Sequence, residues 1–198
     1  MRLANLMENR LVYRLWQAPF AEDKFAPIRR HNDLRRVRRV LDVGCGPGTN
    51  TQHFAHCDYT GIDLNEGYIN DARRRYGRNF IAADATQFTP EGDPYDFILI
   101  NSFLHHLPTP AVEGILRNLS TLLTPGGHIH ILELIMPAGP SVARLLARMD
   151  RGHYARPEAE WRALFERDFA TVLFEPYPLR GLGATLWNMV YFKGQAKS

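Results

Sequence analysis

The residues of this chain that could do chemistry sit in short loops that follow apolar runs. The first is Val40-Leu41-Asp42-Val43-Gly44-Cys45-Gly46-Pro47-Gly48-Thr49-Asn50-Thr51, in which an apolar run bearing Asp42 gives way to three glycines. A buried strand leading into a glycine-rich turn and then a helix is how an α/β sheet opens a pocket for a nucleotide-type ligand. The glycines let backbone approach the ligand and adopt dihedrals that other residues avoid. The spacing is G-x-G-x-G, with Thr49 where the dinucleotide fingerprint places its third glycine. A nicotinamide-dependent reductase is therefore disfavoured.

Two further acids end later apolar runs, Asp63 and Asp84. Asp63 follows Gly44 by about 20 residues, the interval expected for an acid that accepts from ribose hydroxyls. A carboxylate can accept from two adjacent hydroxyls at once. Taken singly, each acid also reads as a strand-end cap. Three in register with one glycine turn argue for a shared ligand. The next loop reads Asn101-Ser102-Phe103-Leu104-His105-His106-Leu107-Pro108 and supplies amide, hydroxyl and imidazole groups. An imidazole near its free pKa suits proton removal from a hydroxyl or amine nucleophile. Loop packing or helix capping is the alternative role for His105 and His106. On a strand or its exit loop the two adjacent rings are expected to point apart, which makes them poor joint ligands. No metal site and no Walker-type triphosphate cradle is expected.

Alternating strands and helices must position these groups. The pattern predicts strands at 40–43, 59–62, 79–83, 95–101 and 128–135, with helices from about Thr49, at Glu66–Tyr76 and at Ala111–Leu123. Pro125-Gly126-Gly127 is a turn signal. Val142–Met149 and Glu158–Arg167 read as helices. Phe169–Glu175 and Ala184–Lys193 read as two late strands joined by a Pro/Gly-bearing link. With no helix between them, they suggest an antiparallel hairpin at a sheet edge. Residues 1–36 read as a helical cap broken by Pro19 and Pro27, with 37–198 as the main domain.

The chain has 198 residues, 45% hydrophobic and 23% charged, which fits one globular domain with a sizeable core. No apolar run is long enough for a transmembrane helix, and Glu8, Arg10 and Arg14 interrupt any signal-peptide core. Two cysteines, Cys45 and Cys57, make neither a disulfide framework nor a four-thiolate metal site. A cytoplasmic location is the expectation. The net charge of +3 is too small to argue for nucleic acid by itself. The Arg29–Arg39 segment is locally basic, but no aromatics are interleaved for base stacking, and a solvated helix face is the plainer account.

Asp42-x-Gly-x-Gly-x-Gly resembles motif I of the class I S-adenosylmethionine-dependent methyltransferases, and the resemblance extends over roughly residues 37–194. The His105-His106-Leu107 loop, the strand Tyr95–Asn101 and the turn Leu123–Gly127 resemble the small-molecule group related to ubiquinone and menaquinone biosynthesis. The resemblance implies a Rossmann-like α/β fold, with a seven-stranded mostly parallel sheet, an antiparallel terminal hairpin, helices on both faces and an N-terminal helical cap. It implies S-adenosylmethionine as cofactor and S-adenosylhomocysteine as its product. Asp42, Gly44, Cys45, Gly46 and Gly48 would bind the methionine end. Asp63 and Leu64 would meet the ribose, Asp84 and Ala85 the adenine, and Asn101 the edge facing the methyl group. His105 and His106 are the candidates for a general base. Tyr13 and Tyr154 are candidate substrate contacts, with residues 137–157 as a substrate cover. The expected activity is methyl transfer to an O, N or C nucleophile of a small molecule. The alternatives are an RNA methyltransferase using the Arg29–Arg39 cluster and a non-catalytic cofactor-binding protein. Oligomeric state is not implied.

Overall fold

The computed structural model describes residues 20–149, 153–181 and 183–197. Helix α1 (Ala21–His31) leads through a 3-10 turn into strand β1 (Arg39–Val43), followed by a second 3-10 segment, Thr49–Phe54. Then come β2 (Asp58–Asp63), α2 (Glu66–Tyr76), β3 (Asn79–Ala82) and β4 (Tyr95–Asn101). A short 3-10 turn, Leu104–His106, precedes α3 (Thr109–Ser120) and β5 (Leu123–Ile135). The chain ends with α4 (Val142–Met149), α5 (Glu158–Asp168), β6 (Phe169–Gly181) and β7 (Ala184–Ala196).

The seven strands form one sheet in the order β3-β2-β1-β4-β5-β7-β6. The first five run parallel, and β7 pairs antiparallel with both β5 and β6. Strand order therefore reverses between β1 and β4, the crevice where open α/β sheets take their ligands. Residue alternation splits the apolar side chains between two faces. Leu41, Val43, Ile98 and Ile100 point to the face covered by α3 and α5, through Ile115, Leu116, Trp161 and Phe165. Val40, Phe97 and Leu99 point to the other, with Phe25 and Ile28 of α1 and Ile69 and Ala72 of α2. Burial on both faces explains why Tyr95–Asn101 is a nearly continuous apolar run rather than an alternating one.

Several elements differ from the sequence expectation. Pro27 does not break the N-terminal helix but lies buried inside α1. Its missing N–H costs one helical bond, and burial of Phe25, Pro27 and Ile28 on that face holds the helix together. The segment after Gly48 is a six-residue 3-10 helix, not a longer α-helix. Its Thr49-Asn50-Thr51 start favours local side-chain bonding over helix propagation, and Asn50 is in fact turned inward onto Asp42. Strand β6 runs through the expected link, with Pro176 opposite Val190 and Pro178 opposite Asn188. An edge strand tolerates both prolines, since residues two apart send their N sides to the same, unpaired edge.

Candidate active site

Gly44, Gly46 and Gly48 all adopt positive φ, at 68°, 52° and 79°. A Cβ on Gly44 would stand 2.5 Å from Cγ of Phe103, whereas one on Gly46 would meet nothing within 4 Å. The turn thus packs against the loop after β4 at Gly44 and opens outward at Gly46. Backbone bonds fix the turn to the next strand, with Gly44 N–H and Cys45 N–H donating to the carbonyl of Ile62 at 2.9 and 3.0 Å.

Asp63, at the end of β2, holds the turn from the other side. Its Oδ2 accepts from Gly46 N–H at 2.9 Å and its Oδ1 from Asn65 N–H at 2.8 Å. Asn65 in turn caps α2 through Tyr68 N–H. Each Asp63 oxygen keeps a lone pair beyond these bonds, so the carboxylate can serve the turn and a ligand diol together. Leu64 beside it is 67% exposed, a large apolar side chain at the mouth of the crevice. Asp84 is exposed, and its Oδ1 accepts from both the amide and the hydroxyl of Thr86, which hold its pKa below the ordinary carboxylate range. Ala85 is buried behind it.

Asp42 lies deeper than its motif position suggests. It is fully buried, and its carboxylate accepts from the Tyr59 hydroxyl at 2.7 Å and from Asn50 Nδ2 at 3.1 Å. Burial raises its pKa to about 6 against the opposing pull of those two bonds. Asn50 Oδ1 then accepts from Asn101 Nδ2 at 3.0 Å. Asp42 therefore braces the turn and orients Asn101 through Asn50, a residue that no sequence signal singled out. Cys45 is buried next to it, and burial pushes its thiol pKa up, so it is an inert filler of the turn.

The loop after β4 carries unmet polar groups. Asn101 Oδ1 and Ser102 Oγ are buried without a hydrogen-bond partner among the described residues. Ser102 is also the one non-glycine among them with positive φ, at 55°. Unpaired buried polar atoms and a left-handed non-glycine residue are both costly, and they concentrate where a ligand completes the structure.

His105 is buried and its Nδ1 lies 2.7 Å from Oε2 of Glu133 on β5. Glu133 is fully buried too, and its Oε1 accepts from Phe103 N–H and Leu104 N–H at 2.8 and 2.6 Å. Burial alone would raise its pKa. The attraction of His105 and the bonds from His105, Leu104 and Phe103 outweigh that, and the carboxyl stays below its ordinary range. An ionised carboxylate only accepts, so Nδ1 carries a proton and, in the neutral ring, the lone pair sits on Nε2. Nothing in the spacing of the sequence marked Glu133, because it reads as one more residue of an apolar strand. Its signal was an acid inside the buried run Ile131-Leu132-Glu133-Leu134-Ile135.

The two histidine rings do not point apart. Their centroids lie 4.2 Å apart, because the residues occupy a 3-10 turn, where successive side chains are separated by about a third of a turn rather than by half a turn as in a strand. Only His105 is buried; His106 is exposed. A narrow cavity reaches His105 and Ser102, with Phe20 and Lys24 from the α1 region and Leu134, Trp187 and others from β5–β7.

Tyr154 is 43% exposed, and its amide donates to the carbonyl of His105 at 3.0 Å. Arg156 is buried and spent on the fold, donating to the carbonyls of Tyr154 and Leu107 at 2.9 Å. Within 137–157, Ala147 of α4 packs on Leu134, Leu179, Trp187 and Met189 beside the cavity. Tyr13 lies outside the described residues. Among the described residues no cluster of His, Cys, Asp and Glu could hold a metal ion. The basic segment is largely paired, with Arg29 on Glu22, Arg30 and His31 on Glu175, Arg35 on Asp33 and Arg39 on Asp58.

Residues 40–127 match the model of the methyltransferase domain family. Trans-aconitate 2-methyltransferase of Methylobacterium radiotolerans is 38% identical over 109 residues, covering 52% of this chain and 40% of that protein. Ubiquinone biosynthesis O-methyltransferase of Aeromonas salmonicida is 30% identical over 129 residues, covering 56% of this chain and 53% of that protein. The chain thus spans about half the length of the curated relatives it matches. Among solved structures, the N-methyltransferase NodS of Bradyrhizobium japonicum, in complex with S-adenosyl-L-homocysteine, superposes with a TM-score of 0.74 at 19% identity. The superposition covers 99% of this chain and 97% of NodS. A glycine turn gripped by a strand-end acid stands on a sheet that closes with an antiparallel hairpin; the chain has the fold of NodS, and its residues 40–127 are similar to the methyltransferase domain family.

Proposed function

We propose that the protein transfers a methyl group from S-adenosylmethionine to an oxygen, nitrogen or carbon nucleophile of a small molecule, leaving S-adenosylhomocysteine. The observation that carries this reading is the adjacency of two features. The open glycine turn under Asp63 and the cavity lined by His105 are joined by Asn101, Ser102 and Phe103.

The residues present fit the cofactor. Gly46 leaves room for a close approach, Asp63 offers lone pairs to a diol, Leu64 offers an apolar surface, and Asn101 Oδ1 is a buried acceptor awaiting a donor. Gly44, Gly46, Gly48 and Asn101 would hold the methionine end, Asp63 and Leu64 the ribose, and Asp84 and Ala85 the adenine, with Asp42 acting through Asn50. When bound, the cofactor would supply a methyl carbon on a positively charged sulfur, an electrophile for the acceptor's lone pair, and the C–S bonding pair would stay with the sulfur of the S-adenosylhomocysteine product.

The chain's own residues then do two things. Turn and loop fix the acceptor in line, which is the larger share of catalysis where the electrophile is already reactive. His105 takes the acceptor's proton on Nε2, while Glu133 fixes the tautomer and steadies the imidazolium that results. Phe20 and Lys24 of the α1 region line the cavity, and Ala147 of α4 packs behind it against Leu134, Trp187 and Met189. A cytoplasmic location fits Cys45 and Cys57, both free and buried. No helix of the described residues is long and apolar enough to cross a membrane.

Titration calorimetry with S-adenosylmethionine, S-adenosylhomocysteine and NAD tests the cofactor. Methyl-labelled S-adenosylmethionine with small-molecule and RNA pools tests the acceptor. Binding of the first two ligands and label in a small molecule is the expected result. Binding of NAD alone overturns the reading.

A further inference from the structure

The backbone at Ser102 and its side chain make opposite demands. Its φ of 55° is a left-handed conformation that suits glycine. Three successive amides hold it there. Ser102 N–H donates to the carbonyl of Leu132 at 2.8 Å, and the N–H groups of Phe103 and Leu104 converge on Oε1 of Glu133. Glycine would make the same three bonds without the strain that a Cβ brings. The serine hydroxyl contributes no bond to the fold, since its Oγ is buried without a partner among the described residues. Ser102 instead lines the cavity that reaches His105, beside the carbon of Leu134, Leu179 and Met189. Its neighbours in sequence tie it to the glycine turn, Asn101 through Asn50 and Phe103 by packing on Gly44. A strained backbone and an unpaired hydroxyl on one residue, at the wall of a cavity, point to a group that arrives from outside the chain.

We propose that Ser102 is a specificity-determining residue, whose hydroxyl hydrogen-bonds the reacting end of the methyl acceptor and selects an oxygen nucleophile over its sulfur analogue. This rests on the methyltransferase reading and deepens it. A hydroxyl donates one bond and accepts others, so it serves an alcohol, a phenol or a carboxylate. An acceptor oxygen attacks the methyl with one lone pair and keeps another to accept from Ser102 Oγ. Sulfur is a weak partner in either direction. A site that buries a polar group discriminates against the analogue that leaves it unpaired. The cavity, about 20 Å³, has room for one oxygen-sized group beside that hydroxyl.

The test uses acceptors matched but for one atom: phenol, benzyl alcohol and lactate, each with its thiol counterpart. Label incorporated from methyl-labelled S-adenosylmethionine gives kcat/KM for the parent, Ser102→Ala and Ser102→Gly. Thiols are the stronger nucleophiles, so the oxygen-to-sulfur ratio is compared between proteins rather than within one. That ratio is expected to fall about ten-fold or more in both variants, with the thiol rates unchanged. Melting temperature reads the fold. It should rise by a few degrees in Ser102→Gly, which loses strain and orphaned hydroxyl together, and should not fall in Ser102→Ala. Calorimetry with S-adenosylhomocysteine reads the cofactor site and should be unchanged in both. An unchanged ratio, equal losses for oxygen and sulfur, a lower melting temperature in Ser102→Ala, or no labelled oxygen acceptor from a protein that binds S-adenosylhomocysteine would each overturn the role of Ser102. So would a weaker S-adenosylhomocysteine complex in the variants, which would give the hydroxyl to the cofactor. A parent protein with no S-adenosylhomocysteine affinity overturns the cofactor reading instead.

Discussion

Glu133 of β5 and His105 of the loop after β4 meet at 2.7 Å, both buried, and the same carboxylate gathers the amides of Phe103 and Leu104. One acid on a rigid strand thus sets both the path of the loop and the tautomer of its imidazole. Glu133→Gln should uncouple these roles. Its amide can still accept from one side, but it turns a donor toward donors, at a cost of about 1–3 kcal/mol in stability. Turnover should fall by about 10²- to 10⁴-fold in His105→Gln and by a smaller factor in Glu133→Gln, with cofactor affinity kept in both. Single-turnover rates across pH check this. The parent profile should carry an imidazole titration that His105→Gln loses and Glu133→Gln moves. Normal turnover in both variants would leave positioning as the whole of catalysis.

Asp63→Ala removes the acceptor for Gly46 N–H and for Asn65 N–H together with the ligand contact. Cofactor affinity should drop by about 10- to 100-fold, the equivalent of roughly 1.5–3 kcal/mol for bonds to a charged acceptor. Glu at this position should keep part of it. Affinity equal to the parent's would make Asp63 a brace for the turn and nothing more.

The glycines of the turn should separate by what lies over them. Gly44→Ala puts a Cβ 2.5 Å from Phe103, so folding itself should suffer, seen as a lower melting temperature. At Gly46→Ala the Cβ meets open space, and only the φ of 52° is strained. That variant should keep most of its stability, losing about 1 kcal/mol, yet bind S-adenosylhomocysteine poorly. Undiminished binding by Gly46→Ala would move the ligand away from this turn.

Two buried groups pull stability in opposite directions as pH changes. His130, packed on Phe97 and bonded to the Tyr191 hydroxyl, has its pKa depressed well below 6.5 by burial. The unfolded chain therefore binds a proton that the folded one refuses, and stability is lost as pH falls below 6.5. Asp42 has its pKa raised from 3.8 to about 6, so the folded chain holds a proton that the unfolded one releases. Its contribution is present below pH 3.8 and is lost as pH rises to about 6, on the order of 3 kcal/mol. Asp42→Asn removes the second slope and leaves the first. Urea denaturation from pH 4 to 7 should show stability climbing more steeply with pH in the variant than in the parent. Parallel curves would mean that Asp42 titrates as an ordinary carboxylate.

Reversing Arg35 and Arg36 to Glu should leave cofactor affinity and turnover unchanged. Arg35 already pairs with Asp33, and neither residue lies on the β1–β4 crevice. A salt-sensitive RNA complex that disappears in this variant would instead favour an RNA acceptor, since phosphate contacts give a steep salt dependence.

The sequence determined the parts of this protein that depend on local rules. Three positive-φ glycines needed a residue without a Cβ, so Gly44, Gly46 and Gly48 were readable as a turn. Apolar runs long enough to be buried on both faces marked the central strands, and Glu66–Tyr76, Tyr95–Asn101 and Val142–Met149 fall where their periodicity put them. Tertiary structure decided the rest. Whether Asp42 meets ligand or core depends on Tyr59 and Asn50 arriving over it, contacts 17 and 8 residues away that no period encodes. Pairing β4 with β5 in register, Asn101 opposite Leu132, set Glu133 under the loop that carries His105. Long-range pairing creates such contacts by removing both partners from water at once, and a single residue type, read in isolation, carries no record of which partner it will meet.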